Sequence, residues 1–452
     1  EANPPSHLHG PLPIMPPVPR LSPSAGPKVL RNFPGADSLD AASTTPLGPR
    51  PLHSRTSPTG NGVPMAKKSP APSSPAKPNA RTALTKRVKE RDARTRERIA
   101  SRATDISNRA MKGAEPLVTI PTRSRSNTIW NKKRRILEMG DATQERQLFN
   151  LHQAKQFMQT MLHAATIKSF IDEDKTSSLR GVYYKAKHTV AGTKENTFET
   201  QEESDPILED LEVALGVLRE ELHIFAENRG TLAGNITITD KGDEINCRRM
   251  GSGGYGIPSI VEPDVLQFTK CEAKFVLHVE KGTVWNRFNE DRFWEKHNCI
   301  LTHGGGQPPR GVRRLLQRFN QELKLPIICL LDCDPWGHYI YSVIKQGSIS
   351  LAFESTRLAI PEAKFLGIRA KDYDECDLPD AVKIDLSDND VKRAKEIAAY
   401  PWFESHKGWQ REIQRMLDNG FKMEVEAMTT KDISYVTEEY VPERLKSEDW
   451  LD

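Results

Sequence analysis

Two groups of side chains in this 452-residue sequence have types and spacing that suit chemistry: three acids and a pair of tyrosines. The acids end apolar runs. Glu280 follows Lys274-Phe-Val-Leu-His-Val279, and Asp332-Cys333-Asp334 follows Ile327-Ile-Cys-Leu-Leu331. Such runs read as buried strands of a parallel sheet, whose carboxyl ends are where ligands sit. Side chains two apart on an extended chain point the same way, so Asp332 and Asp334 share a direction. Three carboxylates converging there without a basic partner would repel one another unless a divalent cation lay among them. An all-oxygen set with open positions suits Mg²⁺, which keeps waters that a phosphate can replace. Acids carried on two solvated loops would give the same pattern with no metal.

The tyrosines fall in Ser178-Leu-Arg-Gly-Val-Tyr-Tyr-Lys-Ala-Lys-His188. On a helical wheel Leu179, Val182, Tyr183 and Ala186 share one face, which is the buried one. Tyr184 lies off that face, between Arg180 one turn earlier and His188 one turn later, with Lys187 beside them. A phenol with a pKa near 10 is a poor nucleophile at neutral pH. Neighbouring cations favour phenolate and would also hold a phosphate, so Tyr184 is the candidate nucleophile. A Tyr-Tyr pair that serves only packing, or an interface, is the alternative.

These groups need positioning elements. Leu148, Leu151, Ala154, Met158, Met161 and Ala165 recur three or four apart and predict an amphipathic helix. Thr176-Ser177-Ser178 can cap the tyrosine helix, and Asp205-Pro206 opens a third helix over residues 205–227. Asn235-Ile-Thr-Ile-Thr-Asp240, a Lys-Gly turn and Glu244-Ile-Asn-Cys247 predict a hairpin. Three helices and a hairpin are the order of a winged-helix DNA-binding unit. From about 263, strands at 274–279, 299–302 and 327–331 alternate with helices at 282–293, 312–323 and 337–345. That alternation predicts a parallel sheet with helices on its faces.

Composition sets the limits. The chain has 32 Pro, and residues 1–80 are rich in Pro, Ser, Ala and Gly, which predicts a disordered tail. Residues 81–135 carry 17 Lys and Arg against 5 Asp and Glu, while residues 136–452 carry 40 against 53. The segment 81–140 thus reads as a basic arm, either a solvated helix that forms on DNA or a charged linker, with order beginning near 141. Its surplus would bind phosphate nonspecifically. Arg229, Arg248, Arg249, Arg313 and Arg314 could add a basic groove to the acidic body. The six Cys form no Cys-x-x-Cys pair, which argues against zinc and for reduced thiols. No apolar run approaches 18 residues and no secretory signal pattern opens the chain, so a soluble intracellular protein without a membrane role is expected.

Val279-Glu-Lys-Gly282, the Gly-rich segment at 304–306 and Asp332-Cys-Asp-Pro-Trp-Gly337 resemble the Toprim domain of topoisomerases and related enzymes. Ser178-Leu-Arg-Gly-Val-Tyr-Tyr184 resembles the nucleophile motif of topoisomerase VI A subunits and their meiotic double-strand-break relatives. Further matches lie at 249–259, 304–315, 361–373 and 433–445, so the resemblance covers roughly 145–452. Gly181 departs from the acidic residue expected there, and Cys333 from a Gly.

The resemblance implies an α/β (α+β overall) chain with a winged-helix domain at 141–262 and a Toprim domain with a C-terminal extension at 263–452. It implies Tyr184 as nucleophile with Arg180, Glu280 as catalytic acid or metal ligand, and Asp332 and Asp334 as Mg²⁺ ligands. It also implies double-stranded DNA as substrate, a homodimer, and a heterotetramer with a GHKL-type ATPase, the B subunit. No Gly-x-x-x-x-Gly-Lys-Ser/Thr loop occurs in the chain, so ATP is expected on that partner. The expected activity is transient double-strand cleavage through a 5′-phosphotyrosyl link, resealed after strand passage, in the cytoplasm at the nucleoid or in a nucleus. A meiotic-type transesterase that breaks without resealing, and a noncatalytic winged-helix DNA-binding protein, are the alternatives.

Overall fold

A computed structural model describes residues 80–452; the tail expected at 1–80 lies, but for its last residue, outside the described residues. The first described element is α1 (Ala80–Met111), rich in the Ala, Arg, Lys and Glu that favour helix. Neither reading of residues 81–140 as arm or linker holds, because α1 is packed. Asp92, Thr95 and Ile99 are buried on one side of it. Arg98 donates to the Leu215 and Gly216 carbonyls at 2.8 and 2.6 Å, and Arg102 to Ala214 O at 3.1 Å. Arg96 pairs with Asp172 at 2.7 Å, and Asp92 with His223 at 3.1 Å. Several cations of the basic segment are thus bound to the protein itself.

Order also begins before 141. β1 (Leu117–Pro121) pairs antiparallel with β4 (Thr143–Gln147), and between them β2 (Thr128–Asn131) and β3 (Ile136–Met139) form a hairpin. Lys132-Lys-Arg-Arg135 is the turn of that hairpin, closed by Arg135 N–H on Asn131 O at 2.7 Å.

α2 (Ala154–Asp172) forms as expected, but with a different face inward. Leu148 and Leu151 precede the helix and are exposed, as is Ala165. The buried face carries Phe157, Ile167 and Ile171 together with Thr160, His163 and Thr166. Those polar groups find partners within the protein: Thr160 donates to Gln156 O, Thr166 to Leu162 O, and His163 Nε2 bonds Ser204 Oγ at 3.0 Å, while His163 Nδ1 has no partner among the described residues. After the short β5 (Ser177–Ser178) comes α3 (Leu179–Ala186), capped by Ser178, whose hydroxyl accepts Gly181 N–H at 3.0 Å. α4 runs Gln201–Leu215 rather than 205–227. Pro206 is tolerated near its start, and Gly216 ends it in the left-handed conformation at φ 63°. β6 (Ile224–Phe225) then pairs with β5.

From residue 231 a second half is built on β7 (Thr231–Gly234), β8 (Ile236–Asp240), β9 (Asp243–Asn246), β10 (Tyr255–Gly256), β11 (Leu266–Cys271), β12 (Val276–Val279), β13 (Ile300–His303), β14 (Ile327–Leu330) and β15 (Lys364–Gly367). Among the described residues the larger sheet has the order β10-β7-β13-β12-β14-β15. β13, β12, β14 and β15 are mutually parallel, and β7 and β10 are antiparallel additions at one edge. β8 and β9 form the expected hairpin over Lys241-Gly242, but pair on with β11 in a separate sheet. Ile236, Ile238 and Leu266 join the core of the large sheet, not that of the helices, so this hairpin is not the wing of the helical unit.

α5 (Gly282–Glu290), α6 (Phe293–Lys296), α7 (Arg310–Leu323) and α8 (Pro335–Gln346) connect the parallel strands. Their apolar faces bury Trp285, Phe288, Phe293, Phe319 and Tyr341. Arg310 of α7 pairs with Glu209 at 3.2 Å and with Glu212 of α4, and Arg357 with Glu220 at 3.1 Å, so the two halves meet through ion pairs. Among the described residues no helix is long and apolar enough to cross a membrane.

Candidate active site

The acids lie at the carboxyl ends of neighbouring strands, as the parallel sheet requires. β12 and β14 are buried along their whole length, which fixes their register, and Glu280 N–H extends the ladder onto Leu330 O at 3.2 Å. Glu280 Oε2 accepts the Asp332 N–H at 3.1 Å, which ties the two strand ends together. Asp334 caps α8 by accepting Gly337 N–H, with Pro335 in the first turn where its missing N–H costs nothing. A side chain on Gly337 would come within 2.3 Å of Asp332 O, so the glycine lets α8 start this close to the strand end. Cys333 is buried and forms a two-way backbone bridge with Met423, at 2.9 and 3.1 Å. That bridge brings residues 424–426 over the acids.

The electrostatics are those of carboxylates drawn out of water. Burial pushes Glu280 up to about 7, with the Asp332 charge adding to it. Burial raises Asp332 to about 6, against the hydrogen bonds it accepts from Lys281 and Val425. Asp334 is raised by burial, against its bond from Gly337.

One expectation needs correction: the acids do have a basic partner. Lys281 places its ammonium 2.9 Å from Asp332 Oδ2, 3.1 Å from Glu424 and 3.3 Å from Glu426. Burial works against the charge on Lys281, but its bond to Asp332 prevails and its pKa is raised. Among the described residues no group of three or more His, Cys, Asp or Glu is assembled to hold a metal ion. The donor set nevertheless fits a hard divalent cation: carboxylates alone, one of them already holding an ammonium. Lys281, Glu424 and Glu426 were missed in the sequence; Lys281 and Glu426 are 145 residues apart and no local pattern joins them.

The tyrosines divide as the wheel predicts in exposure. Tyr183 is 7% exposed and donates to Glu199 O at 2.9 Å, whereas Tyr184 is 59% exposed. The cations divide differently. Lys187 donates to Tyr183 Oη at 2.8 Å, so its hydrogen bond goes to the buried tyrosine and not to Tyr184. His188 lies past the helix end, its Nδ1 3.2 Å from Ala186 O. Arg180 flanks Tyr184, its guanidinium 5.7 Å from the ring centroid. At Gly181 a Cβ would meet Ser177 Oγ at 2.3 Å, which accounts for a small residue beside the cap. Of the arginines expected to line a groove, Arg313 is buried and Arg314 pairs with Glu262 at 2.9 Å, while Arg229, Arg248 and Arg249 are exposed.

Comparison with known proteins finds family models of one class over both halves of the chain. The family model for the Toprim domain of the topoisomerase 6 A subunit/Spo11 group matches residues 275–445 and includes the three acids. The type IIB DNA topoisomerase model matches 155–224, with both tyrosines, and the model of the all-beta domain in DNA topoisomerase VI alpha subunit matches 226–272. The fold is that of a type IIB DNA topoisomerase. The A subunit of type 2 DNA topoisomerase 6 from Pyrococcus horikoshii is 42% identical over 350 residues, covering 75% of this chain and 91% of that one. Those from Hyperthermus butylicus and Haloarcula marismortui are 39% and 35% identical, covering 77% of this chain and 93% and 95% of theirs. The chain belongs to the family of type 2 DNA topoisomerase 6 A subunits.

Proposed function

We propose that this chain is the DNA-cleaving subunit of such an enzyme and that Tyr184 is its nucleophile. The observation that carries the reading is the split within one dipeptide. Tyr183 is buried and hydrogen-bonded, while Tyr184 stands open to a substrate beside Arg180. The Tyr184 oxygen attacks a backbone phosphorus, a P–O bond to tyrosine forms, and the bond to the 3′ oxygen breaks. The phenolic proton is lost, the 3′ oxygen leaves as a hydroxyl, and the 5′ phosphate stays on the protein until the reverse step reseals the strand. Arg180 orients the phosphate through its guanidinium. Glu280, Asp332 and Asp334 hold a divalent cation, Mg²⁺ in this proposal, which when bound neutralises charge on the phosphate.

Tyr184 and the acids belong to different elements, α3 and the strand ends, and no hydrogen bond or ion pair among the described residues joins them. Membership of the family, and not this separation, supports a homodimer in which one protomer's tyrosine works at the other's acids. Double-stranded DNA is the substrate, and an ATP-binding B subunit completes a heterotetramer that acts where the chromosome lies. The test is covalent trapping on supercoiled DNA with the B subunit, Mg²⁺ and ATP. Tyr184→Phe should abolish 5′-linked adducts, and Tyr183→Phe should keep them. Adducts surviving in Tyr184→Phe would sink the assignment.

A further inference from the structure

Lys281 stands between two sets of acids. Its Nζ is bonded to Asp332 on one side and to Glu424 and Glu426 on the other, all within 3.3 Å. Both oxygens of Asp332 are engaged: Oδ2 by Lys281, and Oδ1 by the Val425 N–H at 2.8 Å. The Val425 bond belongs to the backbone that carries residues 424–426, so only Lys281 can leave without unmaking structure. A divalent cation about 2.1 Å from Oδ2 would stand within about 5 Å of an ammonium on the same oxygen, and like charges repel at that range in a half-buried site. Glu424 and Glu426 are more exposed than Asp332, at 54% and 38% against 6%, so an ammonium resting on them alone keeps more water. Glu426 is also held in place by Thr283, whose hydroxyl donates to it at 2.9 Å.

The geometry points to Lys281 as a positioning residue that gates divalent-cation entry: it yields Asp332 to the cation by withdrawing onto Glu424 and Glu426. This rests on the reading of Asp332 as a metal ligand. It makes the two acidic residues outside the ligand set part of the cation equilibrium, acting only through the lysine.

The test is Mg²⁺ titration of the full chain by calorimetry, with circular dichroism to check folding. Lys281→Met should bind Mg²⁺ about tenfold more tightly. Glu424→Gln with Glu426→Gln should weaken binding several-fold when Lys281 is present and leave it unchanged in the Lys281→Met background. Charge alone would make the double substitution act equally in both backgrounds, and that result overturns the gate, as does unchanged or weaker binding in Lys281→Met. If Lys281→Met fails to fold, Lys281→Gln, which keeps a neutral donor to Asp332, is read the same way. Asp332→Asn separates the two readings: loss of Mg²⁺ binding upholds the metal site, and retained binding overturns that site along with the gate built on it.

Discussion

A single ring shows how a residue's surroundings become a property of the chain. His163 is fully buried on α2, and burial lowers its pKa to about 4 against its hydrogen bond with Ser204. The unfolded chain takes up this proton below about 6.5, while the folded chain resists until about 4. Its contribution to stability is therefore complete above pH 6.5 and is lost as pH falls toward 4. His163→Gln, which keeps a partner for Ser204, should remove up to about 3 kcal/mol of the stability difference between pH 7 and pH 4. Urea unfolding of both proteins at the two pH values measures this, and parallel losses would refute it. The comparison has to be between variants. His278 and His338, both lowered to about 3, add the same slope, and Glu412, raised by burial to about 7, opposes it between about 4.5 and 7.

Elements were legible in the sequence where a single period governed them. β12 and β14 are buried on both faces, so runs that are apolar but for His278 marked them and placed Glu280, Asp332 and Asp334 at their ends. α3 is short and one-sided, so its wheel told Tyr183 from Tyr184. β4 could not be read this way, because Thr143-Gln-Glu-Arg-Gln147 has no apolar alternation and is set by its pairing with β1. The inward face of α2 was misread because it is partly polar, and the reach of Lys281 to Glu426 depends on a chain crossing that no local window contains. α1 was misjudged for a related reason: its cations looked solvated, yet Arg98 and Arg102 complete the carbonyl end of α4. Arg98→Ala should cost about 1 kcal/mol, the net worth of such bonds, in denaturant unfolding. A change near zero would mean that solvent serves those carbonyls equally well.

Across the whole molecule, the helical half carrying Tyr184 and the sheet half carrying the acids are fastened by charge. Arg310 is 16% exposed and faces Glu212 and Glu354, which are 1% and 2% exposed. Removing one member strands the others, so Arg310→Ala should destabilise the chain by about 3–5 kcal/mol, the range for breaking a buried pair. An effect below about 1 kcal/mol in urea unfolding would show that water enters and screens the acids.

Such a joint also behaves distinctively on heating. The cost of drawing ions out of water shrinks as temperature rises, while the return from apolar burial levels off. The ion pairs between α4 and α7 should therefore weaken less on warming than the apolar contacts do, which helps the tyrosine's half and the acids' half to keep their alignment as the temperature rises.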